Sequence, residues 1–194
     1  SGLVWLLLQA AEMSGRSWIE VLSGGIIGTV LSRTQFGRDW ELRAVVAILL
    51  TGWLLLHDFI RRRRPTANAL IIPLLLSNTL LATLAWAGHA TDTAGRAGVV
   101  HLSADAIHLL AAGAWLGGLV PLALLFAPAR RADGSAWTTV ARGATLRFST
   151  VGIISVGTLL LTGFVNTWFL SGTIPALVGT EYGRLLLIKV GLFG

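Results

Sequence analysis

Cysteine is absent from this sequence of 194 residues, and methionine and tyrosine each occur only once. Without cysteine the chain can form neither disulfide bonds nor thiolate metal sites. Charged residues are also scarce, at 12% of the total, whereas a soluble domain carries about twice that share. The composition therefore argues against a water-soluble domain, and any metal site has to do without thiolate ligands.

Common enzyme motifs are missing as well. The sequence contains no Walker loop, no GxSxG nucleophile motif and no HExxH metalloprotease motif. We therefore predict that the protein is not an enzyme. The formal charge of +6 does not indicate a nucleic-acid partner, because the arginines stand between and beside apolar runs, where they act as topology signals.

Long apolar runs dominate the sequence. Hydrophobic residues make up 54% of the chain, and the mean hydropathy is +0.75. Several runs approach or exceed the ~20 residues that a helix needs to cross a bilayer. We predict an all-α, polytopic transmembrane bundle of about six segments, at residues 2–13, 40–60, 67–89, 99–127, 146–170 and from 183 onward. The first and last runs are short, so we interpret both as truncated and residues 1–194 as a single transmembrane domain cut from a longer protein.

The arginines also predict an orientation. Arg61 to Arg64 form the densest basic block and are expected on the cytoplasmic side, which places His89 on the outer side. A short repeat, TQFGRDWELR at 34–43 and TEYGRLLLIK at 180–189, indicates two copies that each lead into a helix. Parallel repeats of this kind occur in transporters. If both copies enter from the same side, residues 14–39 are an outer loop and not a span.

Three ionisable residues share one face of the fourth segment. His101, Asp105 and His108 have the i, i+4, i+7 spacing of a helix face. Ionisable groups in a membrane are costly and usually face the bundle interior. His89 lies only 12 residues before His101, and a short turn would bring it alongside. We predict that these four residues form a metal site near the outer end of the bundle.

The chemistry of these residues leaves several interpretations open. Neutral imidazole is a common ligand of transition metals, and a carboxylate either adds a ligand or orients a ring. Nitrogen and oxygen donors fit copper(II), zinc or nickel, and copper(I) held by two or three histidines stays open. Paired histidines could instead ligate a haem b, or each could be a hydrogen-bonded interface residue. Asn78 and Asn166 are expected to bond across helices, and Trp115 lies on the His108 stripe.

Several segments together resemble the copper resistance protein D (CopD) family. They are HLSADAIHLLAAGAWLGGL from 101, RFS from 147, TGFVN from 162 and TEYGRLLLIK from 180. The resemblance covers nearly the whole chain. It implies a multi-pass protein of the bacterial inner membrane that takes copper from the periplasm toward the cytoplasm. It further implies a periplasmic CopC-like copper-binding partner, with copper positions at His89, His101 and His108.

We therefore expect copper transport or acquisition, with His89, His101 and His108 as an outer site and Asp105 as a further ligand or an orienting group. Trp115, Asn78 and Asn166 would then line any onward path. The alternatives are a haem b-binding membrane electron carrier and an accessory membrane subunit that binds no ion.

Overall fold

The protein's structure, a computed structural model, describes residues 2–61, 70–87, 95–129 and 135–171, together with 178–180, 183–185, 187–188 and 191. It divides into two compact units, Ser1–Ala87 (unit 1) and Gly88–Gly194 (unit 2). All secondary structure in the described residues is helical, which confirms the all-α prediction. The sequence analysis predicts that residues 1–194 form a single transmembrane domain. Because this depends on how the two units are arranged, it stays a prediction.

Unit 1 is built from short helices around one long helix. Its described elements are α1 (Gly2–Ser14), α2 (Trp18–Ser23), α3 (Ile26–Arg33), α4 (Gln35–Arg61), α5 (Ile71–Thr83) and a 3₁₀ helix, Leu84–Ala87. The helices α1, α2 and α3 meet around a small apolar core of Ala10, Val21 and Val30. The long helix α4 packs against α3 on one side and against α5 on another.

Residues 14–39 form α2, α3 and the start of α4 rather than one long span. A capping box begins α2, because Ser17 and Glu20 exchange hydrogen bonds between side chain and backbone. The Ser17 hydroxyl donates to the Glu20 carboxylate at 2.9 Å, and the Ser17 backbone N–H donates to it at 3.0 Å. These two hydrogen bonds, the hydroxyl first, lower the pKa of Glu20. With 6 and 8 residues, α2 and α3 are too short to cross a bilayer, as the outer-loop interpretation requires.

Both copies of the sequence repeat begin a helix in the same way. The Thr34 hydroxyl oxygen accepts a hydrogen bond from the Gly37 N–H at 2.9 Å, and the Thr180 hydroxyl oxygen accepts one from the Gly183 N–H at 3.1 Å. Both glycines are buried. At Gly37 a side chain is excluded, since a Cβ atom would lie 2.2 Å from the Val30 carbonyl oxygen of α3. The repeat therefore encodes a threonine cap followed by a glycine at a buried position.

Unit 2 is dominated by a long helical hairpin. Its described helices are α6 (Gly95–Ala129), with 35 residues, and α7 (Ser135–Ser171), with 37 residues. At 1.5 Å per residue each is about 50 Å long, which exceeds the hydrocarbon thickness of a bilayer. The two helices pack antiparallel along most of their length, because residues near the start of α6 contact residues near the end of α7.

Three described helices are long and apolar enough to cross a membrane. They cover Gln35–His57, Gly95–Phe126 and Trp137–Leu170. This confirms the second, fourth and fifth predicted segments. The first and third are shorter apolar helices, Gly2–Ser14 and Ile71–Ala87, and the sixth is described only at isolated positions. Large apolar side chains cover the outside of these helices, as expected of surfaces that face lipid.

Candidate functional site

The three ionisable residues on one face of α6 all point toward α7. Each has its own neighbour there: His101 lies against Phe169, Asp105 against Asn166 and His108 against Thr162. The α7 residues are themselves spaced i, i+4 and i+7, so two matching stripes meet along antiparallel helices. We call these six residues the polar seam.

His101 is the most deeply buried member of the polar seam, with 3% of its surface exposed. Its imidazole stacks flat on the Phe169 ring, with centroids 4.8 Å apart and planes inclined by only 10°. Stacking fixes the plane of the imidazole, and therefore the directions in which its two ring nitrogens can point. The burial confirms that this histidine faces protein rather than lipid.

Asp105 is held by an amide of α7. The Asn166 side-chain N–H donates to the Asp105 carboxylate at 3.2 Å, which confirms the prediction that this asparagine bonds across helices. The amide nitrogen must face the carboxylate, because the opposite orientation would bring two acceptors together. The Asn166 Oδ1 atom then lies buried, with no hydrogen-bond partner in the described part of the chain. Burying an acceptor without a partner costs free energy, and a donor or a cation that binds to it would remove that cost.

His108 contacts two adjacent residues of α7. Its Nδ1 atom lies 2.9 Å from the Thr162 hydroxyl oxygen. The next residue, Gly163, lies beside the ring, and a Cβ atom there would make ordinary van der Waals contact with it, 3.6 Å from His108 Cε1 and 4.0 Å from Nδ1. The Thr-Gly pair thus provides a hydrogen bond to one ring nitrogen and a close packing position beside the imidazole.

Beyond His108 the interface between α6 and α7 changes character. The Trp115 indole packs beside Gly152, and the Phe148 ring covers Gly118. These contacts continue the same helix interface with aromatic rings placed over glycines. The ionisable members of the polar seam therefore lie toward one end of the interface between α6 and α7, where the chain enters α6 and leaves α7.

The polar seam distributes its ionisable groups along the helix instead of gathering them at one point. His101 and His108 are seven residues apart, which corresponds to about 10 Å along the helix axis. Within the described residues, no three His, Asp or Glu side chains are close enough together to hold one metal ion. His89 lies outside the described residues. The predicted site of His89, His101, His108 and Asp105 accordingly stays a prediction.

Thr162 and Gly163 entered the sequence analysis only as part of the TGFVN motif, and Phe169 was not predicted as a site residue. A signal for Thr162 and Phe169 was present, because Thr162, Asn166 and Phe169 repeat the i, i+4, i+7 spacing of His101, Asp105 and His108.

The bond across helices predicted for Asn78 is not found among the described residues. The Asn78 amide donates instead to the Leu74 carbonyl of its own helix, at 2.7 Å.

Arg43 is a buried charged residue of unit 1. Only 9% of its surface is exposed, although α4 is an apolar helix. Its guanidinium donates to the Thr83 carbonyl at the end of α5, at 3.0 Å, and lies over the Trp5 ring of α1, 5.5 Å from the centroid. Arg43 thus connects α1, α4 and α5.

Comparison with known families assigns both parts of the chain. Residues 1–99 match the copper resistance protein D-like N-terminal domain, and residues 142–194 match copper resistance protein D. The chain belongs to the copper resistance protein D family. The α6 stripe of this CopD-family protein lies between the two matched regions, whereas its α7 partners lie inside the second. With three helices able to cross a membrane, it is a multi-pass bacterial membrane protein.

Three curated relatives align with almost all of this chain. Copper resistance protein D of Pseudomonas syringae pv. tomato is 34% identical over 98% of the chain and 60% of its own length. Copper transport protein CutJ of Bacillus subtilis (strain 168) is 32% identical over 98% of the chain and 34% of its length. Inner membrane protein YebZ of Escherichia coli (strain K12) is 32% identical over 96% of the chain and 62% of its own length. The chain therefore spans less than two thirds of each. No solved structure shows a significant match.

Proposed function

We propose that this CopD-family protein takes copper from the periplasmic side of the bacterial inner membrane and passes it toward the cytoplasm. The observation that carries the proposal is the pairing of His101, Asp105 and His108 with α7 inside an otherwise apolar hairpin. The relatives named for copper resistance and copper transport support copper as the cargo.

The energetics of the membrane favour a functional role for these residues. Ionisable side chains are expensive in a bilayer and mark ion paths when they face the protein interior. Packing alone does not require them, because the same two helices associate through Trp115 and Phe148 further along the interface. Imidazole nitrogens and a carboxylate oxygen together form a donor set that binds copper.

The spacing of the polar seam favours successive binding steps. Since His101 and His108 are about 10 Å apart along the axis, one ion does not bind both at once. In this proposal copper binds first near His101, together with His89, and then near His108, together with Asp105. A periplasmic CopC-like protein would deliver the ion to the outer end, and transfer would involve ligand exchange without any covalent step.

Copper binding to purified protein tests this proposal. We expect the variant His101→Ala plus His108→Ala to lose at least one equivalent of bound copper, measured by equilibrium dialysis with metal analysis. His57→Ala is the matched control, because His57 lies on α4 in unit 1, stacks on the Trp53 ring and is not a member of the polar seam. Unchanged copper stoichiometry in the double variant would remove the polar seam from the transport path.

A further inference from the structure

The Thr162 hydroxyl has two close contacts, and a third, to the Leu159 carbonyl oxygen, is long at 3.5 Å. Its oxygen lies 2.6 Å from the Thr158 carbonyl oxygen, one turn earlier on α7, and 2.9 Å from His108 Nδ1. A hydroxyl group has a single proton to donate, and it can also accept. Which of the two contacts receives that proton determines the state of the imidazole.

The shorter contact identifies the recipient of the proton. Two oxygen atoms at 2.6 Å repel each other unless a hydrogen lies between them, and this distance is within the normal range of an O–H···O bond. A carbonyl oxygen carries no proton. The Thr162 hydroxyl must therefore donate to the Thr158 carbonyl, and only its lone pairs remain available to His108.

From this we propose that Thr162 is a positioning residue that keeps the proton of neutral His108 on Nδ1, so that Nε2 carries the lone pair that binds the cation. The Nδ1–H group then donates to the Thr162 oxygen across the helix interface. The role of the Nε2 lone pair rests on the proposed function, whereas the tautomer itself does not. A hydrogen bond to one ring nitrogen is the general means by which proteins select the metal-binding nitrogen of a histidine.

The surroundings of the ring suit this role. Thr162 is 9% exposed, so water has little access to the hydroxyl as a competing partner. The adjacent Gly163 leaves Cε1, the carbon between the two nitrogens, without a side chain against it. The segment TGFVN at 162–166 thus supplies a tautomer-fixing hydroxyl to His108 and, through Asn166, an N–H donor to Asp105.

The experiment compares Thr162→Val with Thr162→Ser. Valine preserves the shape but cannot accept a hydrogen bond, whereas serine keeps the hydroxyl. The protein is labelled with ¹⁵N-histidine, and the ring-nitrogen resonances are measured without metal at about pH 9, above the ordinary imidazole pKa of about 6.5. His108 is assigned by its loss in His108→Ala. We expect the Nδ1–H tautomer in the wild type and in Thr162→Ser, and a mixed population in Thr162→Val.

Copper affinity is the second quantity measured. We expect about a tenfold weaker affinity for Thr162→Val and recovery in Thr162→Ser, the typical effect of losing a group that orients a metal-binding histidine. The matched control is Thr158→Val, which removes a similar hydroxyl bond, to the Ile154 carbonyl at 2.8 Å, without touching His108. Thermal unfolding checks that each variant folds. If Thr162→Val does not fold, the His108 tautomer measured in the wild type still tests the inference.

The tautomer measurement and the copper-affinity measurement test the inference and the proposed function separately. An Nε2–H tautomer in the wild type, or an unchanged tautomer in Thr162→Val, overturns the inference whatever happens to copper. A tautomer that depends on the hydroxyl supports it. Copper binding that is indifferent to His108→Ala counts against the proposed function and leaves the assignment of the tautomer standing.

Discussion

Unit 1 buries a permanent charge, whereas unit 2 buries groups that can exchange protons or bind cations. Arg43 in unit 1 cannot be neutralised, and it is stabilised by the Thr83 carbonyl and the face of Trp5. Through these contacts Arg43 joins α4 to α1 and α5. In the polar seam of unit 2, the contacts of the ionisable residues described above lie across a single interface, that of α6 with α7. The first arrangement connects helices, and the second holds donor atoms in fixed positions.

The two arrangements indicate two roles for a buried polar residue in an apolar helix. Both contain a buried polar atom without a hydrogen-bond partner among the described residues, Arg43 Nε in unit 1 and Asn166 Oδ1 in unit 2. Arg43 Nε is a donor on a cationic group, so it cannot bind a cation, and Arg43 contributes to assembly through the Thr83 carbonyl and the Trp5 ring. Asn166 Oδ1 is an acceptor beside a carboxylate, and this site is suited to a cation. Changes in unit 1 should therefore affect stability, and changes in the polar seam should affect copper binding.

The largest effect is expected at Gly37, where unit 1 has no space for a side chain. Gly37→Ala would place a Cβ atom 2.2 Å from Val30 O and 2.4 Å from Leu31 Cα, both in the backbone of α3. We expect a loss of about 3 kcal/mol or more, measured by thermal unfolding of the detergent-solubilised protein. Gly52→Ala on the same helix is the control, since no atom of the described residues lies within 4 Å of its added carbon. Equal stability of the two variants would show that α3 and α4 do not pack as described.

The next effect concerns Arg43. We expect Arg43→Ala to destabilise the protein by about 2–3 kcal/mol, because the Thr83 carbonyl and the Trp5 ring lose their partner. Arg43→Met should recover at least half of this loss, since it fills the volume and removes the cost of burying a charge. Thermal unfolding gives the stabilities, and equilibrium dialysis should show unchanged copper binding. Loss of copper binding at full stability would place Arg43 in the transport path instead.

Asn166 should show the opposite pattern. Asn166→Leu removes the N–H donor from Asp105 and the buried Oδ1 atom together. We expect a stability change of only about 1 kcal/mol, but about a tenfold weaker copper affinity. Asn78→Leu is the matched control, because Asn78 bonds within its own helix in unit 1. If both asparagine variants bind copper like the wild type, Asn166 does not contribute to copper binding, which would contradict its role in the polar seam.

The smallest effect lies at the capping box of α2. The pKa of Glu20 is lowered from 4.5 by the Ser17 side chain and backbone, so its contribution to helix stability is present above about pH 4.5 and is lost as the pH falls through the lower folded-state pKa. We expect Ser17→Ala to raise the pKa of Glu20 toward its ordinary value, as measured by carboxyl ¹³C NMR. A pKa unaffected by this change would contradict the capping box.

Apolar run length was enough to predict the long helices, because crossing a bilayer demands a continuous apolar stretch. The stripe of His101, Asp105 and His108 also followed from helix periodicity. Arg43 was visible only as part of a repeat, since its burial depends on Trp5 and Thr83, which are distant in sequence. The spacing of Thr162, Asn166 and Phe169 was visible in the sequence, but the contact of Thr162 with His108 was not. A threonine in an apolar helix commonly bonds to its own backbone, and this contact depends on the register between two helices.

Anomalous X-ray scattering at the copper edge, from crystals soaked with copper, would locate bound copper on the protein. We expect an anomalous peak on the polar seam, within bonding distance of His101 or of His108 Nε2. Copper found only elsewhere, for example beside His57, with none along the interface of α6 and α7, would contradict it.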